Sequence, residues 1–320
     1  MNKDLLLKNE LKNLKFNEPL KNWTTFKIGG PARYFFLAKN EKDLIRAISL
    51  VKKLKIKFFI LGEGSNVLIS DKGFDGMVIK IQNSNFRIQN SKIIADAGVK
   101  LSQLVKAATN ASLTGLEWAV GIPGTLGGAI YGNAGLVDER KNISALIEEV
   151  KVLNIKNCKL KIENFSKKDC QFAYRESIFK YRPNLIILSA VLKLKKDKKE
   201  KIKKEILEMI KKRKEKIPNG FSAGCIFKNS KFKIQNSKLK KYPQLKDFKK
   251  YGMIPSGWLI EKCGLKGKKI GGAKISEKHA NFIINYKEAK AKDVLKLINL
   301  IKKKVFNKFG IKLEEEIRII

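Results

Sequence analysis

Apolar residues recur every three to four positions in several long stretches of the chain, a spacing typical of amphipathic helices. The helix predicted within 101–118 should begin at Ser102, because serine caps helix starts. The helix predicted within 199–217 should end before Pro218, because proline cannot continue a helix. The predicted helices lie within residues 41–55, 101–118, 199–217, 256–265 and 291–309.

Other apolar runs are short and bounded by turn-forming residues, which predicts strands. We expect a strand on each side of the turn at Gly29 and Gly30, and another pair around the Gly-Glu-Gly-Ser-Asn turn at 62–66. Strands and helices that follow one another without regular alternation indicate an α+β fold. The remaining predicted strands cover residues 76–81, 91–99, 185–197, 280–285 and 311–320.

Glycine is concentrated in two loops, at 62–66 and at 121–135, and the second has six glycines in 15 residues. Glycine reaches positive φ at low cost, so turn chemistry alone explains such clusters. Without side chains, however, backbone N–H groups can converge on a phosphate, with Ser65 and Thr125 as hydroxyl donors. Neither loop is a Walker loop or a Rossmann fingerprint, and the two together favour a large nucleotide ligand.

The formal net charge is +39, from 69 Lys and Arg against 30 Asp and Glu. Such an excess is found in nucleic-acid-binding proteins. The lysines are spread along the chain, however, and aromatic residues are not interleaved with them as a base-stacking surface requires. We therefore expect a generally basic surface and no nucleic-acid partner, and keep a basic nucleic-acid-binding protein as an alternative.

No apolar run reaches the roughly 18 residues that a membrane helix needs. The N-terminal segment has a short Leu-Leu-Leu run followed at once by charges, unlike a signal peptide. These features predict a cytoplasmic protein without a membrane partner.

The four cysteines, Cys158, Cys170, Cys225 and Cys263, form no Cys-x-x-Cys pair, and His279 is the only histidine. No metal site is expected from this set, and in a reducing compartment the thiols should be free. The residues alone leave Cys225 open as a buried small side chain or a reactive group. We expect His279 to be a hydrogen-bonded structural imidazole.

Motifs along nearly the whole chain resemble one family. They include NWTTFKIGGPA at 22–32, ILGEGSNVLISD at 60–71, GLEWAVGIPGTLGGAIYGNAG at 115–135, YRES at 174–177, SAGCIFKN at 222–229 and EEEIRII at 314–320. In this order they are similar to the UDP-N-acetylenolpyruvoylglucosamine reductases, flavoenzymes of peptidoglycan precursor synthesis. The resemblance implies a two-lobed FAD-binding domain of the vanillyl-alcohol-oxidase type, followed by a smaller α+β substrate-binding domain. We assign the lobes to 1–80 and 81–196 and the substrate domain to 197–320, with a basic insertion at about 230–255.

The resemblance also implies non-covalent FAD, with NADPH as hydride donor and a UDP-sugar as substrate. A covalent flavin link is not expected, because the single histidine lies far from the glycine loops in sequence. The implied cofactor contacts are Thr25, Ile28, Gly29, Gly30, Gly62, Gly64, Ser65, Asn66, Leu68, Gly121, Ile122, Gly124, Thr125, Gly128, Ala129 and Asn133. The implied substrate contacts are Tyr174, Lys216 and Asn229.

The family's catalytic positions fall on Arg175, Cys225 and Glu316, the last chosen over Glu314 because it directly precedes Ile-Arg. The implied reaction reduces UDP-N-acetylglucosamine enolpyruvate to UDP-N-acetylmuramate, adding hydride at C3 and a proton at C2 of the enolpyruvyl group. A guanidinium offers a carboxylate a fork of donors. A thiol is mostly protonated at neutral pH and can supply a proton, although many family members carry serine at this position. A buried carboxylic acid can donate a hydrogen bond if it stays protonated.

Two features lie outside this picture. The segments FRIQNSK at 86–92 and FKIQNSK at 232–238 are near repeats, and we expect both to be surface insertions without a role in function. The alternative within the superfamily is another flavin oxidase or dehydrogenase, which would share the glycine loops but would have no reason to keep the three catalytic positions together. We expect a monomer.

Overall fold

The structure is a computed structural model that describes residues 3–136, 141–156, 159–232, 239 and 242–320. Its helices are α1 (Lys3–Glu10), α2 (Glu41–Lys53), α3 (Leu101–Asn110), α4 (Leu126–Gly132), α5 (Ile178–Tyr181), α6 (Lys199–Lys216), α7 (Leu245–Tyr251), α8 (Ser256–Lys262) and α9 (Ala291–Phe309). Its strands are β1 (Lys15–Pro19), β2 (Pro31–Ala38), β3 (Phe58–Leu61), β4 (Val67–Leu68), β5 (Phe74–Ile81), β6 (Phe86–Gln89), β7 (Lys92–Asp96), β8 (Leu113–Thr114), β9 (Ile147–Lys156), β10 (Lys159–Ser166), β11 (Leu185–Lys193), β12 (Lys195–Lys196), β13 (Ser230–Lys231), β14 (Met253–Ile254), β15 (Lys269–Ile270), β16 (Ala273–Ile275), β17 (Ile283–Asn285) and β18 (Arg318–Ile319).

The chain divides into two compact units that are interleaved in sequence. The first unit is Met1–Glu18, Ala32–Glu63 and Asp75–Arg213, and the second is Pro19–Pro31, Gly64–Phe74 and Lys214–Ile320. The three ranges assigned from the sequence remain a prediction. Among the described helices, none is both long and apolar enough to cross a bilayer.

The first unit is built on two larger sheets. One has the strand order β1-β2-β5-β3, with β3 parallel to β5, and the other has the order β10-β9-β11-β7-β6. Strand β11 pairs with β7 and β9, and both of its faces are largely buried, which explains its almost continuous apolar sequence. Helix α2 buries Leu44, Ala47, Ile48 and Val51 on one face, as an amphipathic helix does.

The second unit has shorter strands around a long helix. Strands β15, β16 and β17 form an antiparallel sheet, and β18 pairs in parallel with β4. Helix α9 covers the predicted residues 291–309, and its apolar stripe lies in the core of this unit. Its first turn is bound by a carboxylate that the sequence did not single out, because Asp71 accepts from the N–H groups of Ala291 and Lys292 at 2.7 and 3.0 Å.

Two predicted elements, the strand before Gly30 and helix α3, have wrong boundaries. Residues before Gly30 form turns rather than a strand, because Lys27 takes φ = +55° and Gly29 φ = +141°, values outside the extended range. Helix α3 begins at Leu101, one residue before Ser102, and its cap residue is Lys100, whose N–H donates to Gln103 Oε1 at 3.1 Å. The helix ends at Asn110 rather than continuing to 118, and Ser112 has φ = +56°.

Part of the segment at 230–255 packs into the core of the second unit. Leu239 is 2% exposed and Phe248 is 8% exposed, so both belong to the core of the second unit. The rings of Tyr242 and Phe248 each lie about edge-on to Trp258, at centroid distances of 5.1 and 5.0 Å. These residues lie outside the second repeat copy at 232–238, and the basic insertion assigned to about 230–255 stays a prediction. In the first repeat copy, β6 is exposed along its length, as expected, and residues 233–238 of the second copy lie outside the described residues.

We expect Phe248→Ala to lower the free energy of unfolding by about 3 kcal/mol, because it removes a buried ring from a packed aromatic cluster. Urea unfolding followed by tryptophan fluorescence measures the change. The matched control is Lys246→Ala on the same helix, an exposed side chain whose loss should cost no more than about 0.5 kcal/mol. Equal stability of the two variants would show that the Phe248 ring does not contribute to the core of the second unit.

Candidate functional site

The turn at 62–66 directs its carbonyl groups toward protein donors. The Gly62 oxygen accepts from Lys80 Nζ at 2.7 Å, the Gly64 oxygen from the Thr25 N–H at 3.2 Å, and the Asn66 oxygen from the Arg318 N–H at 2.9 Å. Within the described part of the chain, the backbone N–H groups of residues 63–66 have no hydrogen-bond acceptor. Successive N–H groups without protein acceptors form a site suited to an anion such as a diphosphate.

Two glycines in this turn are required by close packing. Gly64 has φ = +65°, and a Cβ atom there would lie 2.2 Å from the Trp23 carbonyl oxygen. A Cβ atom on Gly62 would lie 2.8 Å from Thr125 Oγ1, so a larger residue would push the turn away from that hydroxyl group. Ser65 is half-buried and Asn66 exposed.

Lys80 lies beneath the start of this turn. Its Nζ is 2.7 Å from the Gly62 oxygen and 3.4 Å from Glu63 Oε1, and its side chain is only 9% exposed. Burial lowers the pKa of Lys80, the Glu63 carboxylate opposes that shift, and the charge on Lys100 adds to it. Lys100 approaches the same carboxylate from a more exposed position, at 3.8 Å.

The glycine-rich stretch around α4 differs from the turn at 62–66. Thr125 caps α4 by accepting from the Gly128 N–H, while the N–H groups of Leu126 and Gly127 donate to Val99 and Ala97. The first N–H groups of this helix are therefore already bonded to protein. The expected phosphate site formed by converging N–H groups is supported at the first loop and not at the start of α4.

The remaining predicted cofactor positions have three kinds of surroundings. The side chains of Ile28, Leu68 and Ala129 are buried in the cores, so that only their backbone atoms could meet a ligand. Gly29, Gly30, Gly121, Ile122 and Gly124 lie in loops. Thr25 and Asn133 bind backbone: Thr25 Oγ1 donates to the Ser222 carbonyl at 2.7 Å, and Asn133 Nδ2 donates to the Ala173 carbonyl at 2.8 Å.

The contact from Asn133 fixes the turn that contains Arg175 in the first unit. Arg175 has φ = +56°, its carbonyl accepts from Lys180 Nζ at 2.6 Å, and its guanidinium lies 5.4 Å from the ring centroid of Tyr174. Ser177 fixes the other end of the turn by donating to the Tyr131 carbonyl at 2.7 Å. The predicted catalytic arginine and its predicted substrate neighbour Tyr174 therefore share one ordered turn.

In the second unit, the chain around Cys225 pairs with the chain around Glu316. The Glu316 N–H donates to the Ile226 carbonyl at 2.8 Å, and Phe227 forms a bridge with Glu315. On the other side, Cys225 forms a bridge with Phe282. Two of the three predicted catalytic residues, distant in sequence, are thus brought together on paired backbone segments.

The three consecutive glutamates have different partners. Glu314 lies 3.4 Å from Lys228 Nζ and is mostly exposed, and Glu315 lies 2.6 Å from Lys302 Nζ. Surface ion pairs account for both of these residues. Glu316 is the member whose N–H binds the backbone beside Cys225, which favours the choice made from the sequence.

Of the predicted substrate contacts in the second unit, Asn229 follows the Cys225 segment, and its Oδ1 accepts from the Ser256 N–H at 3.2 Å. Ser256 Oγ also donates to the Lys228 carbonyl. Lys216 is exposed at the end of α6. The structure thus anchors Asn229 and leaves Lys216 accessible.

The other cysteines and the histidine have structural surroundings. Burial raises the pKa of the Cys170 thiol to about 12, and it raises that of Cys263 as well. Cys158 lies outside the described residues. His279 Nδ1 accepts from the Asn281 N–H at 3.2 Å, and burial lowers the pKa of this imidazole. The expectation of a hydrogen-bonded structural imidazole is confirmed. Within the described residues, no group of three His, Cys, Asp or Glu could hold a metal ion.

Two important side chains were missed by the sequence analysis. Asn281 is buried, and it binds both the N–H and the carbonyl of Phe227, at 3.0 and 2.8 Å, so that it fixes the segment that follows Cys225. No local pattern marks this residue. Lys80 could have been found, because a lysine within the apolar strand GMVIKI is an unusual residue for a buried position.

Two family models match the chain. One, described as a FAD binding domain, matches residues 32–160, and the other, described as the C-terminal domain of UDP-N-acetylenolpyruvoylglucosamine reductase, matches residues 201–320. Together with the mixed sheets and helices described above, these matches confirm the predicted fold class and the FAD cofactor.

Curated relatives of this chain are named UDP-N-acetylenolpyruvoylglucosamine reductase. The reductase of Caldicellulosiruptor bescii is 41% identical over 99% of this chain and 94% of its own, and that of Caldanaerobacter subterraneus is 42% identical over 96% and 93%. The crystal structure of the reductase from Thermus caldophilus superimposes with a TM-score of 0.74 at 31% identity, covering 96% of this chain and 98% of the other. This chain is therefore an oxidoreductase that belongs to the UDP-N-acetylenolpyruvoylglucosamine reductase family.

Proposed function

We propose that this protein reduces UDP-N-acetylglucosamine enolpyruvate to UDP-N-acetylmuramate in peptidoglycan precursor synthesis, with non-covalent FAD and with NADPH as electron donor. The observation that carries the proposal is the pairing of the Cys225 and Glu316 segments through the 2.8 Å bond between Ile226 and Glu316. A flavin oxidase without this reaction would have no reason to bring a proton donor and a carboxyl group together here. We further propose that the protein is cytoplasmic and monomeric.

The turn at 62–66 is proposed to bind the cofactor's diphosphate. Thr25 and the glycines at 29 and 30 are proposed as further cofactor contacts. Four N–H groups without a protein acceptor in the described chain support this assignment. The second set of contacts is proposed at Gly121, Ile122, Gly124, Thr125, Gly128, Ala129 and Asn133. When bound, FAD would supply the chemistry of hydride transfer from NADPH to C3 of the enolpyruvyl group.

Residues of the protein are proposed to stabilise the negative charge that develops during hydride transfer and to supply the proton to C2. As hydride adds at C3, negative charge develops at C2 and spreads into the substrate carboxylate. Arg175 is proposed to bind that carboxylate, because a guanidinium supplies two parallel donors. Glu316, as a carboxylic acid, would donate a hydrogen bond to the same group, since an ionised carboxylate would oppose the charge.

Cys225 is proposed to donate its thiol proton to C2, which completes the lactyl ether. The thiol is then restored by a proton from solvent. Tyr174, Lys216 and Asn229 are proposed to bind the UDP-sugar, Lys216 through the negative charge of the diphosphate. The deciding experiment reduces the purified protein anaerobically with NADPH and re-oxidises it with the enolpyruvyl sugar nucleotide. The proposal fails if the reduced flavin persists.

We expect the protein to be yellow and to lose all of its FAD to the supernatant on acid or heat denaturation. The only histidine, His279, is largely buried and already accepts a hydrogen bond from Asn281, which leaves it ill-suited to a covalent flavin link. Absorbance of the precipitate and of the supernatant measures the distribution. Flavin that stays with the denatured chain would contradict this prediction, and a covalently flavinylated protein treated in parallel is the control.

A further inference from the structure

We propose that Lys80 is a positioning residue for the cofactor, whose ammonium group orients the turn at 62–66 so that its N–H groups face the diphosphate. The inference depends on the proposed assignment of this turn to FAD. Lys80 belongs to neither glycine loop. In this proposal it acts through the turn and does not itself contact the ligand.

The geometry follows from the planarity of the peptide group. The Gly62–Glu63 peptide is trans, as are the other described peptide bonds. In a trans peptide the carbonyl and the following N–H point in opposite directions. Because Lys80 Nζ binds the Gly62 oxygen at 2.7 Å, the Glu63 N–H is directed away from Lys80. The carbonyls of Gly64 and Asn66 accept from backbone N–H groups, whereas the Gly62 carbonyl accepts from a buried side chain. Lys80 therefore sets the orientation of the peptide at the start of the turn.

Charge adds to this orientation. Glu63 lies between two lysines: Lys80 Nζ is 3.4 Å from one carboxylate oxygen, and Lys100 Nζ is 3.8 Å from the other. Lys80 is shielded from solvent, whereas the Lys100 side chain is 57% exposed. A buried positive charge beneath the turn attracts a diphosphate more strongly than an exposed one, because solvent screens it less.

Proton binding and FAD binding are therefore linked. Burial lowers the pKa of Lys80 from its ordinary value, with Glu63 opposing the shift and Lys100 adding to it. Lys80 therefore loses its proton, and with it its positive charge, at a lower pH than an exposed lysine does. FAD affinity should therefore fall as pH rises through this lowered pKa, before an exposed lysine would lose its charge.

The test measures FAD dissociation constants of the flavin-stripped full-length protein by quenching of flavin fluorescence. Lys80→Met should weaken binding by about 10- to 100-fold, the loss of a hydrogen bond to a charged donor. Lys80→Arg keeps a donor and a charge and should stay within about threefold of the native protein. The matched control is Lys100→Met, which removes the other lysine beside Glu63 and should also stay within about threefold.

The pH dependence separates positioning from a general loss of stability. The native protein should lose affinity at alkaline pH, whereas Lys80→Arg should show a flatter profile, because guanidinium does not deprotonate in this range. Titration of the flavin ring is common to both proteins and cancels in the comparison. If Lys80→Met does not fold, this comparison alone decides.

Lys80→Met that binds FAD like the native protein, or identical pH profiles in the native protein and Lys80→Arg, would overturn the inference. A native protein that shows the predicted dependence but does not turn over the enolpyruvyl substrate would refute the proposed function and leave the role of Lys80 intact.

Discussion

Cys225→Ala is expected to keep its FAD and to be reduced by NADPH at the native rate, but to be re-oxidised by substrate about 10²- to 10⁴-fold more slowly, the usual cost of a missing general acid. Delivery of hydride from NADPH needs no proton from this side chain, whereas completion of the lactyl ether needs one at C2. Stopped-flow absorbance of the flavin resolves the two half-reactions, with NADPH alone in the first and the sugar nucleotide added anaerobically in the second.

Two further variants make this test specific. Cys225→Ser should keep substantial activity, because a hydroxyl group can donate from the same position. Cys263→Ala removes another half-buried thiol of the second unit and should leave both half-reactions unchanged. Re-oxidation of Cys225→Ala at the native rate would show that the thiol only packs against its neighbours and that another group supplies the proton.

Arg175→Lys is expected to lower kcat by about 10²- to 10³-fold while changing FAD affinity little. Lysine keeps the positive charge but loses the planar fork of donors that matches a carboxylate. Arg175 sits in a turn fixed by Asn133 and Ser177, so its substitution should alter the group presented to the substrate more than the turn itself. Steady-state kinetics with the enolpyruvyl substrate and fluorescence titration with FAD separate the two effects.

The control for this variant is Arg182→Lys, an exposed arginine shortly after the same turn, which should have native kinetics. If Arg175→Lys turns over at the native rate, the substrate carboxylate is bound elsewhere. A parallel loss of FAD affinity and kcat would instead indicate that Arg175 supports the cofactor or the fold.

Local patterns in the sequence predicted the long helices correctly. The apolar spacing that predicted α2 and α9 is a property of each helix by itself, because one face of each must be buried whatever it packs against. The glycine turn at 62–66 was also recognisable, since positive φ is required locally. Prediction failed at residues 26–30 and at Ser102. There, a short stretch of mixed polar and apolar residues is compatible with more than one backbone conformation.

The sequence by itself determined the α+β class, the turn suited to an anion, and the candidate catalytic residues through the order of motifs. Only the tertiary structure decided which of these groups have the right partners. It pairs Glu316 with the backbone beside Cys225, it bonds the first N–H groups of α4 to the backbone that follows β7, and it bonds Lys80 to the Gly62 carbonyl. These contacts join residues far apart in the chain, so they depend on how strands and loops pack against one another, which the spacing of residues along one element does not encode.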